Sequence, residues 1–281
     1  MLAGIYKFRV SNAIEYTPVS EVSGDYSITS KETGRWRSDR NGEVFLDHLK
    51  VGLTNIVFKN DPDYYNFVIS GAKVKKGEES KQAPNGRSAM LVPRTLKDDL
   101  VFTMTWVGSD FQLNLIAETF IDSEAGRRDG ENCVLSFAQP QCIGMEHRMS
   151  RDVNVKSDTV RVNSRLFYDS DKKLIAHKRV LLYVTDTKDK KEKEISYSNA
   201  LIGITMPEQG QVAEIPVPFK TAEEEANTAG IIPNNWAALC LWVEPGVDGK
   251  QDVLRMKRLN GLATSKPNAV QLCGKDADAQ Q

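Results

Sequence analysis

Two cysteines and a histidine lie close together in a chain that has only four cysteines and three histidines. Cys133 and Cys142 flank the segment "VLSFAQPQ", and His147 follows shortly after. Thiolates and imidazoles bind zinc, but a structural zinc site needs four ligands, usually supplied as two tight pairs. Because His147 is the only third ligand nearby, the spacing favours a disulfide, with unpaired thiols and a metal site as the alternatives.

The segment between these two cysteines is long enough for one short strand to fold back through a turn. Pro140 can set the bend. Cross-strand cysteines then meet within about 4 to 7 Å between Cα atoms, which is the disulfide range. Closing such a loop stabilises a fold by about 2 to 3 kcal/mol in the chain-entropy model.

The other two cysteines are Cys240, inside the apolar run "WAALCLWV", and Cys273, in "AVQLCG". An even count of four lets all of them be oxidised in a secreted protein, and this second pair could pin the tail to a sandwich domain. The alternative is that Cys240 is a small buried hydrophobic residue, since it lies in a strand between two leucines.

Catalytic and cofactor-binding signals are weak throughout the chain. The chain has three histidines, His48, His147 and His177, and neither His48 nor His177 has a serine or cysteine nucleophile motif beside it. Acidic segments such as "SDRNGE", "KNDPDY" and "YDSDKK" could offer oxygen ligands to calcium, but none matches a full calcium loop. We therefore predict no enzymatic activity, no metal site and no cofactor.

Two features indicate contacts with other proteins. Trp36 stands between Arg35 and Arg37 in a short strand-like run, and interfaces are enriched in tryptophan and arginine, so Trp36 could face a partner. The run "VAEIPVPF" contains two prolines, which suit an edge strand rather than a sheet centre. There Ile215 and Phe219 are the predicted docking residues, and an ordinary proline-protected edge facing water is the alternative.

Charge and hydropathy exclude several classes of partner. The chain has 37 basic and 38 acidic residues and a formal net charge of -1. No global field would therefore draw in nucleic acid or an anionic membrane. No apolar run approaches the roughly 18 to 20 residues that cross a bilayer. We predict no nucleic-acid partner and no membrane span.

Short strand-like runs separated by turn-forming residues predict an all-β protein. In the first 70 residues they include "IYKFRV", "GEVFLDHL" and "TNIVFK", and later ones include "DLVFTMTWVG", "FQLNLIAETF" and "RVLLYVTD". We predict two β-sandwich domains, a small one at 1–72 and a larger antiparallel one at 98–246. The polar segment 73–97 is expected to be a linker or long loop, and 247–281 a polar tail.

Two family resemblances fit this division. The segment "GRWRSDRNGEVFLDHLKVGLTNIVFKNDPDYYNFV" resembles carboxypeptidase regulatory-like domains, which are small transthyretin-like β-sandwiches, over about residues 4 to 70. The runs "LVFTMTWVGSDFQLNLIA", "CVLSFAQPQC" and "NNWAALCLWV" resemble an uncharacterised β-sandwich family of secreted or surface proteins. Both resemblances imply an extracellular or cell-surface location.

The predicted function is that of a non-catalytic secreted or cell-surface structural module that assembles through contacts with other protein chains, as a homo-oligomer or a filament. The alternative is an adhesion module that binds carbohydrate or depends on calcium. A hydrolase with an active site hidden by sequence spacing is a third possibility. Sandwich folds host all three, so the fold does not decide among them.

Overall fold

The computed structural model describes a defined set of residues, on which all structural statements below rest. These are 3–28, 32–76, 88–106, 113–121, 133–135, 140–142, 145–151, 156–163, 178–186, 201–207, 209–216, 235–246, 251–259 and 273.

Every element with defined bounds in these residues is a β-strand, which confirms the predicted all-β class. The strands are β1 (Ala3–Asn12), β2 (Ser23–Ile28), β3 (Thr33–Arg37), β4 (Glu43–Lys50), β5 (Gly52–Lys59), β6 (Phe67–Lys76), β7 (Ala89–Leu91), β8 (Asp99–Trp106), β9 (Leu113–Ile121), β10 (Cys133–Leu135), β11 (Gln141–Cys142), β12 (Met145–Arg151), β13 (Lys156–Asn163), β14 (Lys178–Asp186), β15 (Leu201–Met206), β16 (Gly210–Pro216), β17 (Asn235–Glu244) and β18 (Val253–Leu259).

The chain divides into two compact units whose boundaries differ from the predicted domains. The first unit comprises Met1–Val107, Ser150–Thr159 and Ala200–Ile215. The second unit comprises Gly108–Met149, Val160–Asn199 and Pro216–Gln281. Both units are therefore assembled from separate stretches of the chain.

The first unit contains a seven-stranded sheet in the order β3-β2-β5-β6-β1-β4, with β7 paired in parallel to β1. The sheet bends back on itself, because a bridge between Ser38 and Val44 joins its two end strands. The turn between β3 and β4 is fixed by Asp39, whose carboxylate accepts the backbone N–H groups of Asn41 and Glu43, each at 2.8 Å. This turn leads the chain into β4, which pairs antiparallel with β1.

Aromatic side chains fill the core between the two halves of this bent sheet. Phe58 stacks on Phe67 with 4.4 Å between ring centroids, and Phe8 lies 5.2 Å from Phe58. Trp36 makes edge contacts with Phe58 and Phe67 at 5.6 and 5.7 Å. Such offset and edge arrangements add to the free energy of burial.

Trp36 therefore belongs to the core, and the prediction that it faces a partner is wrong. Its side chain is only 3 % exposed, while Arg35 and Arg37 on either side are exposed. Successive side chains of a strand point to opposite faces, so the two arginines and the tryptophan cannot share one surface. The arginines mark the outer face of β3.

Parts of the segment expected to be a linker lie in the first unit's sheet. Residues 73–76 complete β6, in which Ala72 and Val74 are buried between exposed lysines. Ala89 pairs with Val10 through β7, and Tyr64 forms a bridge with Pro93. The lysines give the segment the composition of a linker, but its apolar residues alternate as in a half-buried strand. Residues 77–87 lie outside the described residues.

The first unit also contains β8, β15 and β16. β8 pairs with β15, with Met104 opposite Ile202, and β16 follows as the end strand of that sheet. Gly210 begins β16 with a φ of +84°, a left-handed conformation that glycine adopts without strain.

The second unit contains a five-stranded antiparallel sheet in the order β10-β9-β14-β17-β18. In its central strand β14, the side chains of Val180, Leu181, Leu182 and Val184 are all buried. Consecutive buried residues mean that both faces of this strand are covered. β11 and β12 pair antiparallel, with Gln141 opposite Glu146.

Candidate functional site

The strand that we predicted to dock a partner is indeed an end strand. β16 is the last strand in its sheet, with Val212 exposed and Ile215 partly exposed. Phe219, the other predicted docking residue, lies outside the described residues. An end strand offers unpaired backbone groups, so this position is compatible with docking.

Part of β16 is already used inside the first unit. The Gln211 side-chain oxygen accepts the N–H of Val68 at 3.0 Å, and Glu214 Oε2 accepts the N–H of Ser70 at 2.6 Å. These N–H groups belong to the first half of β6, where β1 pairs only with the far end of the strand. Side chains of β16 thus accept two backbone N–H groups of β6.

The turn between β4 and β5 presents the most exposed large apolar side chain among the described residues. Leu53 is 77 % exposed and Val51 is 40 % exposed, on either side of Gly52. Gly52 has a φ of +137°, which strongly favours glycine at this turn. The residues around it line an open groove of about 480 Å³: Ile28, Glu32, Lys50, Val51, Leu53, Thr54, Asn55 and Gly71. We call Val51, Gly52 and Leu53 the β4–β5 turn.

A second open groove, of about 550 Å³, lies beside β4, and all of its lining residues except one phenylalanine are polar or charged. We call it the β4 groove, and it is lined by Lys7, Glu21, Arg37, Ser38, Asp39, Arg40, Glu43 and Phe45. Within it, Lys7 Nζ contacts Glu43 Oε2 at 2.6 Å, and Arg9 Nη2 from the same strand contacts Glu43 Oε1 at 3.4 Å. Phe45, on the outer face of β4, is 52 % exposed.

The structure contains a disulfide between Cys240 and Cys273, with 5.4 Å between their Cα atoms. It joins β17 to the C-terminal part of the second unit. Cys142 is also disulfide-bonded. The side chain of Cys133 lies outside the described residues, so the pairing of Cys133 with Cys142 stays a prediction.

The described residues contain no group of three or more His, Cys, Asp or Glu side chains that could hold a metal ion. His48 is largely exposed, and its Nε2 atom lies 3.7 Å from the carboxylate of Asp47. His177 and the side chain of His147 lie outside the described residues. No described helix is long and apolar enough to cross a membrane.

Among the described residues, four side chains have clearly shifted pKa values. Burial raises the pKa of Tyr183 to about 12, with a further contribution from the charge of Glu118. Burial also raises the pKa values of Tyr26 and Tyr64. A hydrogen bond from Arg255 lowers the pKa of Glu244. These shifts move each pKa further from pH 7. A general acid or base needs the opposite, a pKa close to the working pH.

Comparisons with known proteins do not assign the chain to a family. No family matches it, and no curated protein matches it. Among solved structures, a candidate carbohydrate-binding protein from Bacteroides uniformis is 10 % identical, with 75 % of this chain and 95 % of that chain covered and a TM-score of 0.25. BcpA, the major pilin subunit of Bacillus cereus, is 10 % identical, with 92 % and 95 % covered and a TM-score of 0.24.

The full-length major pilin SpaD from Corynebacterium diphtheriae is 9 % identical, with 89 % of this chain and 70 % of that chain covered and a TM-score of 0.23. Scores this low carry no argument about function. The functional argument therefore rests on the described surfaces.

Proposed function

We propose that this chain is a non-catalytic structural module that assembles with other protein chains outside the cell or at its surface. The observation that carries the proposal is the β4–β5 turn, where Leu53 and Val51 are exposed to solvent. Burying one leucine side chain contributes about 1.5 to 3 kcal/mol. A partner that covers the β4–β5 turn would gain this free energy.

The surroundings of the β4–β5 turn suit a protein interface. The exposed side chains of Lys50 and Lys73 lie beside it, Lys73 being paired with Leu53 across β5 and β6. An apolar centre with a charged, solvated rim is the usual anatomy of a protein interface. The partner is another protein chain, and a second copy of this chain would give a homo-oligomer or a filament.

The edge of β16 is a second docking surface in this proposal. Gln211 and Glu214 are engaged with β6, whereas Val212 and Ile215 are large apolar residues of this strand that are at least partly exposed. Ile215, together with Phe219 further along the chain, is the proposed contact of this strand. A partner strand could pair along the outer edge of β16.

Two observations support an extracellular or surface location. The Cys240–Cys273 disulfide is of the kind that persists in oxidising compartments. Cys142 is oxidised as well.

Self-association of the full chain tests the proposal. Light scattering and sedimentation velocity should show assembly that increases with concentration. Leu53→Asp should weaken it by at least tenfold, because a carboxylate would be desolvated at the contact. Ile215→Asp tests β16 in the same way. Thermal melts confirm that each variant remains folded.

The matched control is Val253→Asp, since Val253 is 44 % exposed on β18 of the other unit. Assembly of this variant should equal that of the parent chain. A strictly monomeric parent chain, or equal assembly by Leu53→Asp and Ile215→Asp, would overturn the proposal.

A further inference from the structure

The charges of the β4 groove are unevenly compensated. Glu43 is held by both Lys7 and Arg9, and the Asp39 carboxylate accepts two backbone N–H groups of its own turn. Arg37 and Arg40 line the same groove, are exposed, and have no side-chain partner in the part of the chain that the structure describes. Two guanidinium groups are thus available to an anion.

The groove also holds one aromatic surface. Phe45 lies on the outer face of β4, opposite Lys7 of β1, and half of its side chain is exposed. Every other residue lining the groove is polar or charged. A protein hot spot needs surrounding residues that exclude water from a packed apolar centre. Phe45 has no apolar neighbour among the lining residues, so this groove is a poor match for a protein side chain.

A sugar ring fits this arrangement better. One face of a pyranose carries C–H groups that can lie on an aromatic ring, while its rim carries hydroxyl groups that need many polar partners. The β4 groove supplies one ring and the exposed carboxylate of Glu21. Binding sites of this kind combine an aromatic surface with a few placed polar groups.

We propose that the β4 groove binds an acidic saccharide, with the sugar ring on Phe45 and its carboxylate or sulfate group between Arg37 and Arg40. The planar guanidinium fork donates paired hydrogen bonds to such oxyanions. The β4 groove does not involve the β4–β5 turn or β16. It therefore adds a ligand to the proposed assembly function and does not depend on it.

Isothermal titration calorimetry on the full chain tests this site. The ligands are an oligogalacturonate and a heparin-derived oligosaccharide of equal length, which separate a carboxylate from a sulfate. A neutral maltooligosaccharide, inorganic sulfate and a polyglutamate peptide serve as comparisons. We expect at least one acidic saccharide to bind at least tenfold more tightly than all three comparisons. Added salt should weaken that binding.

Substitutions locate the binding. Arg37→Gln and Arg40→Gln should each weaken binding of the acidic saccharide about fivefold, since each removes one exposed charge-assisted contact. Phe45→Thr should weaken it to a similar degree by removing the stacking surface. The matched controls are Arg35→Gln, on the same face of β3 but outside the groove, and Leu53→Thr. Both should bind like the parent chain.

The NMR shifts of the Lys7 and Phe45 amides give a readout on the parent chain that needs no substitution, and both should move on titration. Several results would overturn the proposal. These are the absence of binding by both acidic saccharides, equal binding of the neutral sugar, of inorganic sulfate or of polyglutamate, and equal losses in Arg35→Gln and Arg37→Gln.

Discussion

Arg179 lies over Trp242, with its guanidinium carbon 4.8 Å from the ring centroid, although the arginine side chain is almost fully buried. Its Nη1 atom also donates a hydrogen bond to the carbonyl oxygen of Cys273 at 2.9 Å. Cys273 is in turn bonded to Cys240, which lies two residues before Trp242 on β17. A disulfide, a cation–π contact and a charged hydrogen bond therefore hold Cys273 on one face of this sheet.

Loss of this disulfide should lower stability. The Cys240→Ala/Cys273→Ala double variant opens a loop with a sequence separation of 33 residues. Constraint of the unfolded chain by such a loop is worth about 3 to 4 kcal/mol in the chain-entropy model. Urea denaturation followed by tryptophan fluorescence should show this loss. An unchanged midpoint would contradict the role given to the bond.

The core position of Trp36 makes a separate prediction. Trp36→Ala should lower the free energy of unfolding by about 3 to 5 kcal/mol, because it leaves a cavity beside Phe58 and Phe67. Arg35→Gln, one residue away on the exposed face, should change it by less than about 0.5 kcal/mol. Thermal and chemical denaturation measure both. Equal stabilities would argue against burial of Trp36.

Trp36 also shows which features of the fold could not be predicted from the sequence. Period-two alternation correctly predicted strands in its neighbourhood and thus the all-β class. Alternation separates the two faces of a strand, but a single strand does not reveal which face the rest of the chain covers. The flanking arginines suggested an exposed segment, whereas they lie only on its outer face. The parallel pairing of β7 with β1 is similarly hidden, since it joins residues about 80 positions apart.

The candidate surfaces could be predicted to different degrees. Prolines correctly indicated that β16 lies at a sheet edge. The contacts of Gln211 and Glu214 with β6 had no sequence signal, because they join positions more than 140 residues apart. The β4 groove likewise gathers residues from separate strands and turns. The β4–β5 turn has a clearer sequence signal, because the run "VGL" places two large aliphatic residues at a turn, where such residues are unusual.

The β16 contacts predict a local change in hydrogen exchange. Glu214→Ala removes the acceptor of the Ser70 N–H, and Gln211→Ala removes that of the Val68 N–H. Each amide should exchange at least tenfold faster in its variant, because loss of such a bond costs about 1 to 3 kcal/mol. Val212→Ala, an exposed neighbour, is the control and should leave both rates unchanged. NMR-detected exchange resolves the two amides.

Disulfide mapping tests whether Cys133 is bonded to Cys142. The chain has four cysteines, Cys240 is bonded to Cys273, and Cys142 is oxidised. We expect proteolysis without reductant to yield a peptide pair joined through Cys133 and Cys142. A freely alkylated Cys133, or a bond between separate chains, would refute this pairing.

Tyr183 gives a prediction for alkaline pH. Burial raises its pKa from 10.0 to about 12 in the folded chain, and Glu118 adds to the shift. Below pH 10 the tyrosine is protonated in both the folded and unfolded states, so its ionisation leaves stability unchanged. As the pH rises from 10 to 12, the unfolded chain releases the proton while the folded chain retains it. Stability must therefore fall across this interval, by about 2 to 3 kcal/mol for this residue.

Tyr183→Phe isolates this contribution, because phenylalanine keeps the ring and cannot ionise. Lysines and other tyrosines titrate in the same range, but they do so in both proteins, so the difference between the two pH profiles reports Tyr183. Urea midpoints at pH 9 and pH 11.5 should decline less in the variant than in the parent chain. Parallel declines would mean that the phenol of Tyr183 is accessible to solvent in the folded state, which would also contradict its place beside Ile116 and Leu181 in the buried cluster of the second unit.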